Sequence, residues 1–298
     1  MNLRMDGLMV RGSCAIRDVD TSDPRIVARA TIGPFKLERF FHYIPFGIIA
    51  DDAAQFIEQQ VTTLLAKQRI TSDQATHARS ALTTGTNLEV HANDGMVIES
   101  IIENRERKVE LYAELERILS PSAIIGTNTS SISINALSAD LLRPERFVGI
   151  HFFNPAHIMK LVEIIPSLHT STETIERSCR IAQQLGKVPI VVRDVPGFLV
   201  NRVVRNYYNE PQRIVTEGAA TIEQVDRLLE AAGFRMGPFR LMDLIGVDTN
   251  LSVTKSVFEQ YFFEPRFQPS RLQQAYVDAG LHGRKSGRGF YPYDDSKQ

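Results

Sequence analysis

The sequence has almost no net charge, because 34 Lys and Arg residues are balanced by 35 Asp and Glu residues in a chain of 298 residues. Proteins that bind nucleic acid or an anionic membrane surface usually carry a marked excess of basic residues. The near-neutral balance therefore argues against nucleic acid and against a membrane as partners. A chain of this length is typical of about two domains and is long enough to bury a large apolar core.

Cysteine and long apolar runs are scarce as well. Cys14 and Cys179 are the two cysteines of the sequence, and this pair makes neither a disulfide framework nor the spacing of a metal site. The most apolar early stretch, residues 39–50, is too short to span a bilayer and contains Arg39 and His42. We therefore expect a cytoplasmic protein with reduced thiols, no bound metal and no membrane-spanning segment.

Both common glycine-rich phosphate loops are missing. In a dinucleotide-binding domain, the turn G-x-G-x-x-G follows the first strand and lets the main chain approach the pyrophosphate. The six glycines before residue 100 are not spaced to form this turn, and the sequence contains no G-x-x-x-x-G-K-[ST] loop. The stretch GRKSGRG (283–289) has closely spaced glycines but does not follow a strand that opens a helix. The usual phosphate-binding signature is therefore absent.

What the sequence does contain is an alternation of strand and helix patterns. Five short apolar runs between residues 95 and 194 predict strands, and amphipathic stretches predict helices at 51–68, 71–82, 104–119 and 170–186. This alternation predicts an α/β domain with a largely parallel sheet. After Pro196 the remaining patterns are helical. We predict a boundary at residues 194–196, with an all-helical domain over 195–298.

The stretch GIHFFNPAHIMKLVEII is apolar yet holds His151 and Glu163. If its two halves are neighbouring antiparallel strands, a reversal centred on residue 157 and favoured by Pro155 places the two side chains opposite each other. A carboxylate beside an imidazole fixes its tautomer, which prepares a general base for a hydroxyl proton. The alternative is a structural ion pair between two strands. We assign His157, in the predicted turn, to the surface.

Two further polar groups lie where an α/β domain binds ligands. Asn128, Thr129, Ser130 and Ser131 follow a predicted strand, and ligands gather at the carboxyl ends of such strands. Their hydroxyl groups are suited to substrate or cofactor oxygens, whereas the alternative is the N-cap of a helix. Asn201 lies on the first helix of the helical domain, where it faces either an interdomain cleft or solvent.

Five segments carry the polar residues and turns discussed above or follow them along the chain: TNTSSISI, ERFVGIHFFNPAHIMKLVEII, LGKVPIVVRDVPGFLVNRV, MGPFRLMDLIGVDT and GRKSGRGFYPY. Together they resemble the 3-hydroxyacyl-CoA dehydrogenases in order and spacing over about residues 56–298. The resemblance implies a Rossmann-like, doubly wound NAD-binding domain over 56–194 and a helical C-terminal domain that forms a homodimer. It further implies oxidation of an (S)-3-hydroxyacyl-CoA thioester to the 3-oxoacyl-CoA with NAD.

The same resemblance implies roles for individual residues. His151 matches the catalytic histidine that takes the hydroxyl proton, and Glu163 matches the carboxylate that orients it. Ser130 and Asn201 match the residues that hold the reacting oxygen and help to position the nicotinamide.

Other matches concern the cofactor and the CoA portion. Glu103, Lys108, Asn154 and Lys285, together with Ser130, match cofactor-binding positions. Lys67 and Ser130 match positions that contact the CoA thioester. All of these roles are expectations carried over from the family.

Residues 1–55 depart from the family, which there carries its first βαβ unit and the glycine turn. Asp51 resembles a ribose-binding acid, but the alignment puts that position near Ile44, so Asp51 is not assigned. Pro211 is a smaller departure, since within a helix it would cost about 3 kcal/mol or kink the helix.

Three hypotheses follow from this departure. The first is an NAD-dependent dehydrogenase whose first 55 residues have diverged. The second is a catalytically impaired member of the family, altered before residue 55 by a frameshift or a wrong start. The third is a protein that binds CoA thioesters without redox activity.

Overall fold

The computed structural model describes residues 11–17, 25–31, 58–59, 61–68, 70–81, 87–154, 156 and 159–293. The chain divides into two compact units, Met1–Asp194 and Val195–Gln298. The first unit is built around a sheet and the second from helices, which confirms the predicted fold class. The predicted turn with Pro155 and His157 lies outside the described residues, as do Ile44 and Asp51.

The first unit contains a seven-stranded sheet with the order β2-β1-β3-β4-β5-β6-β7. Between β3 and β7, three of the four pairings are parallel, and only β5 and β6 pair in the antiparallel sense. The strands are β1 (Arg11–Arg17), β2 (Arg25–Thr31), β3 (Met96–Glu99), β4 (Ile124–Thr127), β5 (Phe147–Phe152), β6 (Leu161–Pro166) and β7 (Val188–Val191).

The central strands form because their apolar side chains are buried on both faces of the sheet. Every residue of β3 and β4 is buried, which is typical of parallel strands covered by helices. The core cluster joins side chains from four strands and one helix, namely Met96, Ile98, Ile124, Val148, Ile150, Val162, Ile164 and Ile181. All five strands predicted between residues 95 and 194 are confirmed.

The helices of the first unit begin at side-chain caps. Thr71 and the side chain of Gln74 exchange hydrogen bonds with each other's main chain, a capping box that starts the first helix. The side chains of Asn104 and Ser171 cap two longer helices by accepting hydrogen bonds from the main-chain N–H groups of Arg107 and Thr174. Gly186, at a φ of 70°, follows the end of the last one. These helices are α1 (Ser72–Ala81), α2 (Arg105–Ile118), α3 (Ile134–Ser138) and α4 (Thr172–Gln184); residues 61–66 are also helical.

The two strands beside β3 differ in direction from the strands of a doubly wound sheet. There β1 pairs with β3 in the antiparallel sense, with Ser13 opposite Glu99, and β2 pairs with β1. Consequently, the start of β1 lies beside the carboxyl end of β3, and the end of β1 lies beside the amino end of β3. A doubly wound sheet has a parallel strand here, whose carboxyl end leads into the phosphate-binding helix.

Over its described residues, 195–293, the second unit contains five α-helices, with an apolar core around Tyr208, Val225, Phe239 and Met242. Pro211 lies inside the first of them, and the helix is continuous through it. The helix therefore accommodates Pro211 without a complete break. The helices are α5 (Val200–Thr216), α6 (Ile222–Ala231), α7 (Pro238–Ile245), α8 (Val247–Gln260) and α9 (Arg271–Asp278).

The C-terminal segment is fastened to the second unit by a buried carboxylate on α7. Asp243 accepts hydrogen bonds from the main-chain N–H groups of Phe290 and Tyr291 and from the hydroxyl of Tyr293, at 2.9–3.0 Å. Gly289 packs so closely that a Cβ there would lie 2.0 Å from Oδ1 of Asp243. Segment 287–293, which we call the C-terminal latch, therefore needs both the acid and the glycine.

None of the helices among the described residues has the length and apolarity needed to cross a membrane. In the same part of the chain, no three His, Cys, Asp or Glu side chains cluster as metal ligands would.

Candidate active site

The pair His151–Glu163 is formed by the antiparallel register of β5 and β6. The two residues are directly opposite each other, and Nδ1 of His151 lies 2.7 Å from Oε2 of Glu163. Both side chains are buried, and the ring of Phe153 packs edge-on against the imidazole at 4.7 Å. The predicted pairing is therefore confirmed. A carboxylate acceptor at this distance places the imidazole proton on Nδ1 and leaves the lone pair on Nε2.

The loop after β4 reaches the same edge of the sheet. β4 and β5 are parallel, so their carboxyl ends are neighbours. Oδ1 of Asn128 accepts a hydrogen bond from the main-chain N–H of Phe152 at 2.9 Å and so joins the loop to the end of β5. As a result, residues 128–131 and His151 lie together at the carboxyl ends of β4 and β5, as the strand pattern predicted.

Glu103 clamps this loop. Its Oε1 accepts hydrogen bonds from the hydroxyls of Thr129 and Ser131 at 2.6 and 2.8 Å, and from the main-chain N–H groups of Ser130 and Ser131 at 3.0 Å. Burial alone would raise the pKa of Glu103, but Lys108 and these hydrogen bonds outweigh it and lower the pKa. The carboxylate is therefore ionised at neutral pH.

Ser130 differs from its neighbours in the clamped loop. Its main-chain N–H is bonded to Glu103, yet its hydroxyl makes no hydrogen bond with the described residues. The alternative that residues 128–131 cap a helix is wrong, because Ser133 is the N-cap of α3. The hydroxyl of Ser130 is thus held in place by its backbone and is available to a ligand.

A second buried carboxylate at this edge, Glu99, escaped the sequence analysis. It ends β3 and is fully buried, and it accepts hydrogen bonds from Lys108 Nζ (2.7 Å), Tyr112 (2.5 Å) and Thr127 (2.8 Å). It also accepts one from the main-chain N–H of Ile101 at 2.5 Å. This hub ties the ends of β3 and β4 to α2.

Lys108 is consequently far more buried than its expected role as a nucleotide ligand suggests. Its side chain is 1% exposed and forms ion pairs with Glu99 at 2.7 Å and with Glu103 at 3.6 Å. The signal that could have revealed this was the spacing of Glu99, Glu103 and Lys108 at the junction of a strand and a helix. Burial of a lysine requires such carboxylate partners.

The remaining predicted residues are spread over both units. In the first unit, Asn154 is exposed two residues after the end of β5, and Lys67 is exposed just after the helical residues 61–66. In the second unit, Asn201 is half-buried in the first turn of α5, and Lys285 forms an ion pair with Asp248 at 2.6 Å. Burial alone would raise the pKa of Asp248, but Lys285, the main-chain N–H of Thr249 and His282 together lower it.

The described residues are better suited to the nicotinamide end of a dinucleotide than to its pyrophosphate. Ser130 and His151 lie at the carboxyl edge of β4 and β5, where the nicotinamide end of a doubly wound domain's ligand belongs. Beside the carboxyl end of β3, however, lies the first part of β1, because β1 and β3 are antiparallel. A pyrophosphate is normally held by N–H groups at a helix that follows a parallel strand, and β1 runs in the wrong direction for that turn.

Comparison with known proteins places the chain in a family. A family model described as the 3-hydroxyacyl-CoA dehydrogenase NAD-binding domain matches residues 48–195, and the model of the C-terminal domain matches residues 197–293. The chain belongs to the 3-hydroxyacyl-CoA dehydrogenase family. The match begins at residue 48, in agreement with the resemblance found in the sequence.

Individual relatives support this assignment. A 3-hydroxyadipyl-CoA dehydrogenase of Escherichia coli is 41% identical over 80% of the chain, which spans about half (50%) of that relative's length. A 3-hydroxybutyryl-CoA dehydrogenase of Bradyrhizobium diazoefficiens is 39% identical over 78% of the chain and 80% of the relative. The crystal structure of an (S)-3-hydroxybutyryl-CoA dehydrogenase from Ralstonia eutropha has a TM-score of 0.79 at 35% identity and covers 83% of this chain and 87% of that one.

Proposed function

We propose that the chain oxidises (S)-3-hydroxyacyl-CoA thioesters to 3-oxoacyl-CoA with NAD and catalyses the reverse reduction. The observation that carries this proposal is the buried pair of His151 and Glu163 at 2.7 Å. The names of the relatives include a methyl-ended acyl chain, 3-hydroxybutyryl, and a carboxylate-ended one, 3-hydroxyadipyl. The proposal therefore concerns the 3-hydroxyacyl-CoA class.

His151 acts as the general base in this mechanism. Because its Nδ1 proton is directed to Glu163, Nε2 takes the proton of the substrate hydroxyl at C3. The carboxylate of Glu163 stabilises the imidazolium that results. In the reverse direction the imidazolium returns this proton to the oxygen at C3.

The other residues hold and orient the reactants. Ser130 donates a hydrogen bond from its hydroxyl to the oxygen at C3, and Asn201 supplies a second polar group. Glu103 holds Ser130 in position through the main chain. Asn154 and Lys285 contact the cofactor and Lys67 the CoA portion. NAD, when bound, supplies the acceptor for the hydride from C3.

A second candidate, binding of CoA thioesters without redox activity, is favoured by one observation. The strand beside β3 is antiparallel, so the main chain there lacks the strand-to-helix turn that supplies much of the affinity for a pyrophosphate. A chain with this edge could keep its substrate site and lose its cofactor site. The antiparallel strand also favours the hypothesis of a catalytically impaired member of the family, for the same reason.

Two titrations and one assay separate these candidates. For the dehydrogenase, we expect saturable NADH binding by fluorescence, binding of acetoacetyl-CoA by calorimetry, and loss of NADH absorbance that depends on acetoacetyl-CoA. Binding of acetoacetyl-CoA without NADH binding would replace the first candidate by the second. If neither compound binds to the folded chain, both candidates are wrong.

We also propose that the second unit forms a homodimer. Phe262 and Phe263 follow α8 and are 92% and 64% exposed, and both have a positive φ, 54° and 64°. Such backbone angles are strained for bulky residues, and large exposed aromatic side chains are typical of interfaces. The strain and the exposure together favour a contact surface at this turn.

Light scattering tests the dimer. We expect twice the chain mass of 33.5 kDa, and a shift toward the monomer when Phe262→Ser and Phe263→Ser are combined, because the change removes apolar area from the interface. Leu142→Ser is the matched control, since Leu142 is 86% exposed but lies in the first unit. A monomeric wild-type chain, or a double variant that remains dimeric, would contradict the assignment.

A further inference from the structure

Glu99 is a buried carboxylate whose two oxygens are both fully occupied. Its Oε1 accepts hydrogen bonds from the ammonium of Lys108 at 2.7 Å and from the main-chain N–H of Ile101 at 2.5 Å. Its Oε2 accepts hydrogen bonds from the hydroxyls of Tyr112 and Thr127 at 2.5 and 2.8 Å. A carboxylate has about four positions at which it accepts a hydrogen bond. Glu99, which is 0% exposed, therefore has no position left for a ligand.

One of these donors connects Glu99 to the loop after β4. Thr127 ends β4, and its hydroxyl, which donates to Glu99, also accepts a hydrogen bond from the main-chain N–H of Thr129 at 3.4 Å. The main-chain oxygen of Glu99 accepts a further bond from this loop, from the N–H of Asn128 at 2.8 Å. Glu99 therefore holds the first residues of the loop through both its side chain and its main chain.

A second donor connects Glu99 to Glu103, the carboxylate that clamps the loop. Lys108 lies between the two acids, 2.7 Å from an oxygen of Glu99 and 3.6 Å from an oxygen of Glu103. Glu103 in turn accepts a hydrogen bond from the main-chain N–H of Ser130 at 3.0 Å. Opposite charges attract each other more strongly where water is excluded, and Lys108 is 1% exposed. Lys108 therefore links the position of Glu103, and with it that of Ser130, to Glu99.

We propose that Glu99 is a positioning residue that acts through Ser130. It does not touch the substrate, but it fixes the loop from which Ser130 donates its hydroxyl to the oxygen at C3. A donor assists a reaction at this oxygen only when it is held within about 0.5 Å of its productive position. The inference rests on the proposed function and deepens it, since it names the group that sets the geometry of this donor.

Glu99→Gln is the informative variant, because it keeps the shape of the side chain and disturbs its hydrogen bonds. An amide has one accepting oxygen and one donating nitrogen. Each oxygen of Glu99 faces two donors, so the new nitrogen meets two donors in either orientation of the amide. One orientation loses the bond from Lys108 and the other loses the bond from Thr127. Both losses reach the loop that carries Ser130.

A double-mutant cycle with Ser130→Ala tests the proposal. Calorimetry gives the dissociation constant of acetoacetyl-CoA, and absorbance gives kcat/KM for its reduction by NADH. We expect Glu99→Gln to lower kcat/KM by roughly 10- to 100-fold, because a misplaced group loses most of its effect, and to weaken binding of acetoacetyl-CoA by roughly 3- to 10-fold. In the Ser130→Ala background the same change should alter either value by no more than about 2-fold, since the group through which Glu99 acts is already gone.

Glu116→Gln is the matched control for this cycle. Glu116 is also a buried carboxylate of the first unit, and it accepts hydrogen bonds from the main-chain N–H groups of Leu142 and Arg143 at 2.8 and 2.9 Å. Both partners lie outside the loop after β4. The change should lower the midpoint of urea unfolding but leave kcat/KM and the dissociation constant within about 2-fold of wild type.

Thr127→Val keeps the cycle available if Glu99→Gln does not fold. Valine retains the β-branched shape that suits a strand and removes only the hydroxyl that links Glu99 to the loop. Losses that are the same with and without Ser130→Ala, or wild-type values in Glu99→Gln, would overturn the proposal. Coupling seen in binding by a chain without turnover would uphold the role of Glu99 and contradict the dehydrogenase activity. A folded chain that does not bind acetoacetyl-CoA would contradict both.

Discussion

Replacement of His151 by Gln is expected to lower kcat by about 10²- to 10⁴-fold, the range that a general base contributes. The side chain of Gln is polar and similar in extent, so the strand keeps its place, but it cannot accept the hydroxyl proton. Binding of acetoacetyl-CoA should change little, because the loss concerns an interaction of the transition state. Steady-state kinetics and calorimetry on the same preparation measure the two effects.

The controls for this prediction separate chemistry from folding. His169→Gln alters an exposed histidine in the loop after β6 and should leave kcat unchanged. Glu163→Gln keeps the shape of the side chain but removes the charge that stabilises the imidazolium, so its kcat should lie between wild type and His151→Gln. An unchanged kcat in His151→Gln would show that His151 and Glu163 are the structural ion pair that the sequence left as an alternative.

Asp243→Ala is expected to lower the free energy of unfolding by roughly 3–5 kcal/mol. The change removes the acceptor for two main-chain N–H groups and one hydroxyl of the C-terminal latch. Asp243 itself is 1% exposed, and water does not replace it readily. Burial raises the pKa of Asp243, while the three hydrogen bonds only partly offset that effect.

Urea unfolding followed by circular dichroism measures this loss. The midpoint should fall by roughly 1 M or more, and Gly289→Ala should act in the same direction, since its Cβ would overlap with Asp243. Asp278→Ala is the matched control, because Asp278 is exposed at the end of α9 and should change stability by no more than about 0.5 kcal/mol. A midpoint equal to wild type in Asp243→Ala would mean that the latch does not depend on this acid.

Local sequence patterns were sufficient for most elements and for one long-range contact. The apolar runs of β3 to β7 and the amphipathic patterns of α1, α2 and α4 could be recognised because strand and helix periodicity act over a few residues. The contact of His151 with Glu163 could be predicted from the sequence for a related reason. In antiparallel strands joined by a short turn, the partner of each residue follows from the centre of the reversal.

Other features depend on contacts between distant parts of the chain, and the periodicity of strands and helices alone did not predict them. The partners of Glu99 are 9, 13 and 28 residues away, and Lys108 looks like an ordinary surface lysine on an amphipathic helix. The loop after β4 gave a misleading cap signal, because Thr129, Ser131 and Ser133 all have suitable hydroxyls and only Ser133 caps α3.

By itself, the sequence determined the α/β and helical parts of the chain, the pairing of His151 with Glu163, and the lack of a glycine-rich loop. The tertiary structure decided the rest: which hydroxyl Glu103 leaves for a ligand, which lysine is buried between Glu99 and Glu103, and in which direction β1 runs beside β3. Periodicity and turn residues encode local order. Burial, charge pairing and strand direction are set only when distant segments meet, because they depend on which atoms exclude water from one another.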